Sequence, residues 1–330
     1  MNSVKVTVGM PAFNRAHVLQ HTIQQVLDQS FKDFELVIYN DGSTDNTVEI
    51  IHSFNDPRIR LLDHENMGPP HPLNGLLKEA KGEYIIILHD HDFFHPQLLE
   101  KSLAALEANP SAGFVLQGSA WIDEDGVSHY QEMLHDLPVL NNGRAMGEQL
   151  LRNPKSFNSI FHACCMVRRS VHEQAGWYYE TRFGLYADTD LWLRLLRITN
   201  FVYLKEVLFK FRTRETQGHF LSNREFEILD WNYQIHIANI ERYFEGHADK
   251  TALLHLAHKK WASSQQQIAL KYAANKNTLL FKKGLDRCTK ETQGNAGLKI
   301  FFKLVAASAV LQSLFVNSFS FINRLRKRIQ

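Results

Sequence analysis

The chain has 330 residues, of which 44% are apolar and 22% are charged, so it can bury a full core in one large domain with an appendage. Its formal net charge of +2 is too small to indicate nucleic acid as the main partner. The cysteines Cys164 and Cys165 are adjacent and Cys288 lies far away, which indicates reduced thiols in a cytosolic protein. Because no apolar signal segment follows Met1, we expect a cytoplasmic location.

The first hundred residues alternate short apolar runs with helical patterns, as the sequence of a doubly wound parallel sheet does. Strands are predicted at residues 4–10, 34–39, 59–62 and 84–88. Helices are predicted between them, at residues 18–27, from Val48 onward and at residues 72–80. The pattern indicates an α/β fold with a Rossmann-like, mostly parallel sheet and flanking helices.

Polar residues follow each of these predicted strands. In open α/β sheets, ligands bind in the crevice at the carboxyl ends of the strands. We therefore expect four side chains to converge on one crevice, namely Asn14, Arg15, Asp41 and Asp90.

The strand predicted at residues 84–88 ends in the sequence His-Asp-His-Asp at residues 89–92. Asp90 and Asp92 supply carboxylate oxygens, the ligands that suit Mg²⁺ and Mn²⁺ ions, and such an ion can also bind a diphosphate. The alternative interpretation is a solvated turn after an edge strand, in which Asp is common. The segment therefore predicts either a divalent metal site or an ordinary turn.

Five segments, taken in order, resemble the landmarks of the family 2 glycosyltransferases, which have the GT-A fold. They are Pro-Ala-Phe-Asn-Arg at 11–15, Asn-Asp-Gly-Ser-Thr-Asp-Asn-Thr at 40–47, Asn-Met-Gly at 66–68 with Asn74, Ala80 and Gly-Glu-Tyr at 82–84, His-Asp-His-Asp at 89–92, and Gly-Leu-Tyr-Ala-Asp-Thr-Asp-Leu-Trp-Leu-Arg-Leu at 184–195. The resemblance covers roughly residues 4–213 and implies the GT-A fold for this part of the chain.

The resemblance implies a nucleotide-sugar donor whose nucleoside lies against the loops after the first two strands. The residues that it assigns to donor binding are Pro11, Ala12, Asn14, Arg15, Asp41 and Asp90. In this interpretation Asp41 contacts the base and Arg15 reaches a phosphate oxygen. Asp41 could instead be an Asx-turn residue, and Arg15 could be a surface residue of a polar loop.

The resemblance also implies a Mn²⁺ or Mg²⁺ ion held by Asp90 and Asp92, which would neutralise the diphosphate as it leaves. His91 departs from the acidic pattern of the family. Asp188 occupies the place of the general base that takes the proton of the acceptor hydroxyl, so that the sugar is transferred with inversion. Ala187 stands where the family usually has Glu. Asp190 is the competing base, or it caps a helix that begins at Leu191.

Several other chemistries are not indicated. The histidine and cysteines at 162, 164 and 165 lack a fourth zinc ligand at a convincing spacing. Glycine-rich phosphate loops of the dinucleotide-binding or P-loop kind are absent, which argues against a dehydrogenase or an ATPase. The Gln-x-x-Arg-Trp segment of processive family members is also absent after Asp190, so we expect one sugar to be transferred per encounter.

The composition changes after Arg214. We expect a catalytic domain at residues 1–214, a helical extension at 215–296 with helices at 225–244 and 251–275, and an amphipathic basic helix at 297–330. Residues 298–328 are apolar with polar interruptions and flanking Lys and Arg residues, a pattern that favours peripheral contact with the cytoplasmic face of a membrane. The alternative is a helix packed on the protein itself or on a second subunit.

Together these observations predict an inverting glycosyltransferase that moves a single sugar from a nucleotide-diphosphate sugar, a UDP-sugar in our expectation, to a hydroxyl acceptor. The acceptor would be a glycan or a lipid-linked molecule in polysaccharide or glycolipid assembly. Two alternatives remain open, a catalytically inactive nucleotide-sugar-binding GT-A protein and a nucleotidyltransferase.

Overall fold

The chain divides into two compact units, Met1–Glu215 and Thr216–Gln330. The computed structural model describes residues 4–122, 128–132, 137–152, 165–212, 224–274, 277–290 and 305–306. The three-part division of the chain predicted from the sequence stays a prediction.

Within the described part of the first unit, ten strands form one mixed sheet in the order β3-β2-β1-β4-β9-β6-β10-β5, with β7 paired to β6 and β8 paired to β10. The strands are β1 Val6–Ala12, β2 Phe34–Asp41, β3 Ile59–His64, β4 Tyr84–Ile87, β5 Phe93–Phe94, β6 Ala112–Ile122, β7 Ser128–Glu132, β8 Leu140–Asn141, β9 Met166–Arg168 and β10 Asn200–Arg212.

Helices connect these strands and cover the sheet. They are α1 Ala16–Leu27, α2 Thr47–Ser53, α3 His71–Glu79, α4 Leu98–Glu107, α5 Gly143–Arg152, α6 Arg169–Gln174 and α7 Ala187–Ile198, with a 3₁₀ segment at Thr181–Tyr186. All eight residues of β2 and all four of β4 are buried, because parallel strands covered by helices have no solvated face.

The strands β1, β2, β3 and β4 pair in parallel, so that their carboxyl ends lie at one edge of the sheet. The expectation of a mostly parallel central sheet with flanking helices is confirmed. The strand β9, which runs antiparallel between β4 and β6, was not predicted from the sequence.

The loop predicted at residues 11–15 begins later than expected, because Pro11 and Ala12 belong to β1 and pair with Tyr39 and Asn40 of β2. Pairing with β4 ends at Gly9, whose carbonyl accepts the Leu88 N–H at 2.8 Å. The nitrogen of Pro11 faces that same side, beyond the end of β4, so its missing N–H breaks no ladder bond.

The second unit contains three described helices, α8 Glu225–Tyr243, α9 Lys250–Ala274 and α10 Thr278–Lys290. The helices predicted at 225–244 and 251–275 agree with α8 and α9 to within one residue at each end. Their shared core consists of Phe226, Ala269, Tyr272, Ala273, Phe281, Leu285, Cys288 and Val305.

The predicted amphipathic helix at 297–330 lies outside the described residues except for 305–306 and stays a prediction. Among the helices that are described, none combines the length and apolar character needed to cross a bilayer.

Gly75 of α3 is the point where this helix comes closest to β2. A Cβ atom at this position would lie 2.2 Å from Cε2 of Tyr39. The Tyr39 ring is 5% exposed and stacks on His64 with ring centroids 4.6 Å apart, so a shift of the ring would disturb this contact.

We predict that Gly75→Ala lowers the free energy of unfolding by about 1–2 kcal/mol. Overpacking costs about 1–3 kcal/mol, whereas the higher helix propensity of Ala returns at most about 1 kcal/mol. Urea denaturation measures the change. The exposed Lys78 on the same helix provides a control, because Lys78→Ala should change stability by less than about 0.5 kcal/mol. A Gly75→Ala protein that is as stable as the wild type would contradict the packing described here.

Candidate active site

The loop after β1 is held by hydrogen bonds from the loop after β2. Asn14 has a left-handed backbone with φ of 53°, a conformation that Asn tolerates. Its N–H donates to Oγ of Ser43 at 2.9 Å, and its Oδ1 accepts the N–H of Thr44 at 2.8 Å. Asn14, predicted as a donor-binding residue, therefore also fixes the two loops to each other.

The first N–H groups of α1 are satisfied by the same neighbouring loop. The Arg15 N–H donates to Oγ1 of Thr47 at 2.8 Å, and the Ala16 N–H donates to Oδ2 of Asp45 at 3.1 Å. Burial opposes ionisation of Asp45, but hydrogen bonds from Thr47 and from the Ala16 backbone hold the pKa of this carboxyl below its ordinary value. The polar residues of segment 40–47 thus cap α1 as well as starting α2.

Asp41, at the end of β2, is buried and accepts two backbone hydrogen bonds from the loop after β3. Its Oδ1 accepts the Met67 N–H at 2.9 Å and its Oδ2 accepts the Gly68 N–H at 3.0 Å. The next residue, Gly42, has φ of +70°, and a Cβ there would lie 2.5 Å from the Asn66 nitrogen. Asp41 therefore fixes the loop at residues 66–68 beside the end of β2.

Asp90 follows β4 and is paired with Arg15 and His91. Its Oδ2 lies 2.8 Å from Nε of Arg15, and its Oδ1 lies 2.8 Å from Nδ1 of His91. The structure thus brings Arg15 and Asp90 together, as the prediction of a common crevice requires. Both carboxylate oxygens of Asp90 already have close nitrogen neighbours.

Asp92 is 1% exposed and has one oxygen that no described residue satisfies. Its Oδ1 accepts the Arg212 N–H at 3.1 Å. Its Oδ2 has no hydrogen-bond partner among the described residues, and Nδ1 of His89 lies 3.7 Å from it. A buried carboxylate oxygen without a partner is costly unless a ligand supplies one.

These atoms fit a divalent ion in part. In the described ranges, no three His, Cys, Asp or Glu side chains are grouped so that they could hold a metal by themselves. Ions that accompany nucleotides, however, use one or two carboxylates and complete their coordination with phosphate oxygens and water. The free Oδ2 of Asp92 meets this requirement better than Asp90, whose oxygens contact Arg15 and His91.

Asp188 lies in the first turn of α7 and is half-buried. Its Oδ1 accepts the Thr189 N–H at 2.8 Å. Burial raises the pKa of Asp188 above its ordinary value of 3.8, although the Thr189 hydrogen bonds and the charge interaction with His89 oppose this shift. A carboxylate with a raised pKa is a stronger proton acceptor than an ordinary one.

Asp190 does not cap a helix at Leu191, as one interpretation of the sequence predicted, because α7 begins four residues earlier, at Ala187. Asp190 lies inside the helix, is fully buried and forms an ion pair of 2.8 Å with Nε of Arg194. The guanidinium of Arg194 also donates to the carbonyls of Ala175 and Tyr178. Asp190 therefore holds α7 against the turn at residues 175–178.

A cavity of about 170 Å³ connects the end of β4 with the start of α7. It contains both His89 and Asp188. Its remaining lining residues are Pro69, Pro70, Leu73, Ile85, Ile87, Cys165, Val167, His172, Tyr179, Gly184, Leu185, Ala187 and Trp192. The predicted base thus faces a space that also reaches the segment predicted to bind metal.

One wall of this cavity is fixed by a reciprocal pair of hydrogen bonds. Nδ2 of Asn74 in α3 donates to the Tyr179 carbonyl at 3.0 Å, and the Tyr179 N–H donates to Oδ1 of Asn74 at 2.8 Å. The sequence identified Asn74 only as part of a family motif. The structure adds that Asn74 binds the backbone of Tyr179.

Other features of the site were missed by the sequence interpretation. Phe13 and Met67 are 41% and 59% exposed on the loops beside Asp41, where apolar side chains at an open edge could contact a base.

Of the three residues considered as zinc ligands, those at 162 and 164 lie outside the described residues. Cys165 is buried, and burial raises the pKa of its thiol, so it remains protonated.

Comparison with known proteins identifies the family. Residues 7–176 match the sequence model of Glycosyl transferase family 2. The chain belongs to this family. The match confirms the resemblance to this family and covers the first four of the five sequence segments, whereas the fifth, at 184–195, lies beyond it.

Three relatives illustrate the range of the family. An uncharacterized glycosyltransferase of Rickettsia typhi is 28% identical over 214 residues, which are 64% of this chain and 65% of that protein. Chondroitin synthase of Pasteurella multocida is 33% identical over 206 residues, 62% of this chain but 20% of the synthase. The putative glycosyltransferase EpsE of Bacillus subtilis is 31% identical over 219 residues, 64% of this chain and 74% of EpsE. The match thus spans less than two thirds of the first two proteins.

Solved structures show the same fold at low sequence identity. S. aureus TarS 1-349 in complex with UDP has a TM-score of 0.60 at 14% identity, with 99% of this chain and 92% of that chain covered. The mannosyltransferase PcManGT from Pyrobaculum calidifontis, in complex with GDP-Man and Mn²⁺, has a TM-score of 0.52 at 18% identity, with 96% and 87% covered. The GT-A fold predicted from the sequence is confirmed.

Proposed function

We propose that this protein is an inverting, non-processive glycosyltransferase that moves one sugar from a UDP-sugar to the hydroxyl of a glycan or lipid-linked acceptor. The observation that carries the proposal is the cavity shared by Asp188 and His89, because it joins a candidate base to the segment that contains Asp92. Such a reaction would serve polysaccharide or glycolipid assembly.

A nucleotide-sugar donor is supported by the ligands of proteins with the same fold. TarS structures contain UDP or UDP-GlcNAc, and PcManGT contains GDP-Man. In this chain, we assign donor contacts to the edge formed by Pro11, Ala12, Asn14, Arg15, Asp41 and Asp90. The exposed Phe13 and Met67 add apolar surface for the base at the same edge.

The diphosphate is assigned to the end of β4, where Arg15 lies against Asp90. A Mn²⁺ or Mg²⁺ ion would be held by Asp92, with Asp90 beside it, and its chemistry would be to neutralise the negative charge of the departing nucleotide. The Arg15 guanidinium lies at the same place, where its charge is already shared with Asp90.

Asp188 is assigned as the general base. The carboxylate takes the proton of the acceptor hydroxyl as the hydroxyl oxygen attacks the anomeric carbon from the face opposite the nucleotide. Burial raises the pKa of Asp188 and so strengthens it as a base. Ala187 leaves this carboxylate without the acidic neighbour common in the family, so Asp188 must act alone at this position.

We also propose a cytoplasmic location with peripheral membrane contact through residues 298–328. The support is the sequence pattern of that segment alone, with apolar residues between groups of Lys and Arg.

We predict that Asp188→Asn lowers the transfer rate by about 10²–10⁴-fold, the usual contribution of general base catalysis, and leaves donor affinity nearly unchanged. The amide has the same shape and can still accept the Thr189 N–H, but it cannot take a proton. Steady-state transfer assays and calorimetric donor titrations measure the two effects separately.

Asp190→Asn is the matched control on the same helix. Because Asp190 is buried against Arg194, its substitution should mainly lower thermal stability. If Asp188→Asn kept full turnover, Asp188 would not be the base. Donor binding without any transfer or hydrolysis by the wild type would instead favour an inactive binding protein.

The pH dependence of turnover should report the raised pKa of Asp188. Since only the carboxylate form accepts a proton, the rate should increase with pH through that pKa and then level off, with a midpoint above 3.8. The residual activity of Asp188→Asn should not show this increase with pH. A wild-type midpoint at or below the ordinary value of 3.8 would contradict the effect of burial on this group.

A further inference from the structure

The cavity between His89 and Asp188 lies where the transferred sugar must be, if the proposed function is correct. Inversion in one displacement requires the anomeric carbon to lie between the departing phosphate oxygen and the attacking hydroxyl oxygen. His89 adjoins Asp92 at the diphosphate end, and Asp188 marks the acceptor end. Substituents next to the anomeric carbon are therefore within reach of the cavity walls.

Most of these walls are apolar. Ile85 and Ile87 of β4 and Val167 of β9 line one side, and Trp192 of α7 contributes a largely buried ring. A hydroxyl group placed against such walls would lose its hydrogen bonds to water without replacement, at a cost of about 1–3 kcal/mol. The walls therefore favour a substituent that carries an alkyl group.

His172 interrupts this apolar lining with one hydrogen-bonding group. The residue is 3% exposed, and its Nδ1 has no hydrogen-bond partner in the part of the chain that the structure describes. Burial, with a smaller contribution from the charge of Arg194, lowers the pKa of His172 to about 3, so the ring is neutral at physiological pH. A neutral imidazole has one donor and one acceptor nitrogen, and a bound polar group could satisfy Nδ1, for which the described residues provide no partner.

Tyr179 provides a second polar group on the same lining. It is 7% exposed, and burial raises the pKa of its hydroxyl, which therefore remains a donor. Its backbone is fixed on both sides by Asn74. The cavity thus combines apolar walls with two buried, neutral polar side chains.

We propose that this cavity receives the acetamido group of an N-acetylated amino sugar, and that His172 is the residue that recognises it by a hydrogen bond. The amide supplies polar atoms for His172, and its methyl group fills the apolar wall. A hydroxyl group in place of the acetamido group would leave the space along the apolar wall unfilled. The methyl group of a deoxy sugar would leave the His172 imidazole without a hydrogen-bond partner. This inference rests on the proposed function and narrows its donor to nucleotide N-acetylhexosamines.

The test compares UDP-N-acetylglucosamine with UDP-glucose, and UDP-N-acetylgalactosamine with UDP-galactose, in transfer or hydrolysis assays with Mn²⁺. The wild type should prefer one acetylated donor over the hexose donor of the same pair, which lacks the acetamido group and is called the plain donor here. His172→Leu should lower kcat/KM for that acetylated donor by about tenfold or more and leave the plain donor nearly unchanged, since a site built around a hydrogen bond rejects groups that lack one. His172→Asn, which keeps a hydrogen-bonding side chain, should restore part of the preference.

Titration with UDP alone separates recognition of the sugar from folding of the site. UDP should bind the wild type and both His172 variants equally, and the exposed His52 provides the control variant His52→Ala, which should behave as the wild type. A wild type that prefers plain donors would overturn the inference. The inference would also be overturned if His172→Leu bound UDP normally but lost kcat/KM equally for both donors of a pair. If UDP and every donor failed to bind the wild type, the proposed function itself would fall.

Discussion

The parallel pairing of β1 with β2 and β4 is the constraint on which the site depends. It places the loops after these strands at one edge of the sheet, where the side chains of Asn14, Asp41 and Asp90 are close to neighbouring loops. Each then has a structural partner, since Asn14 bonds the loop after β2, Asp41 bonds the loop after β3 and Asp90 pairs with Arg15. The edge is therefore preorganised, with its polar groups held by hydrogen bonds before any donor arrives.

Two acids two residues apart on α7 have different surroundings. Asp190 is buried with Arg194 as its counter-ion and fixes the helix to the preceding turn. Among the residues that the structure describes, no Lys or Arg side chain is bonded to the half-buried Asp188, and burial raises the pKa of this carboxyl. In our proposal this difference makes Asp190 a packing residue and Asp188 a proton acceptor, as pairs of acids in enzyme sites often divide their work.

Much of the fold could be predicted because its signals are local. The four parallel strands are apolar runs that end in polar residues, and the family motifs are contiguous segments. Contacts between distant segments could not be predicted in this way. The three-residue β9 is too short to show a period, and the bonds of Asp41 to Met67 depend on how two loops meet. The helix α7 starts at Ala187 and not at Leu191, so Asp190 lies inside the helix and does not cap it. His172 could not be recognised from the sequence, because nothing distinguishes a single histidine in a short helix.

We propose that the edge at the end of β4 binds a sugar nucleotide through its diphosphate and that Asp92 would complete the binding with a divalent ion. Calorimetric titration of the purified protein with UDP-, GDP- and dTDP-sugars, with Mn²⁺ and with chelator, tests it most directly. The account predicts binding of at least one donor that weakens strongly when the ion is removed, and a similar weakening in Asp92→Asn. Failure of every donor to bind in the presence of Mn²⁺, or binding that is unaffected by both chelator and Asp92→Asn, would contradict it.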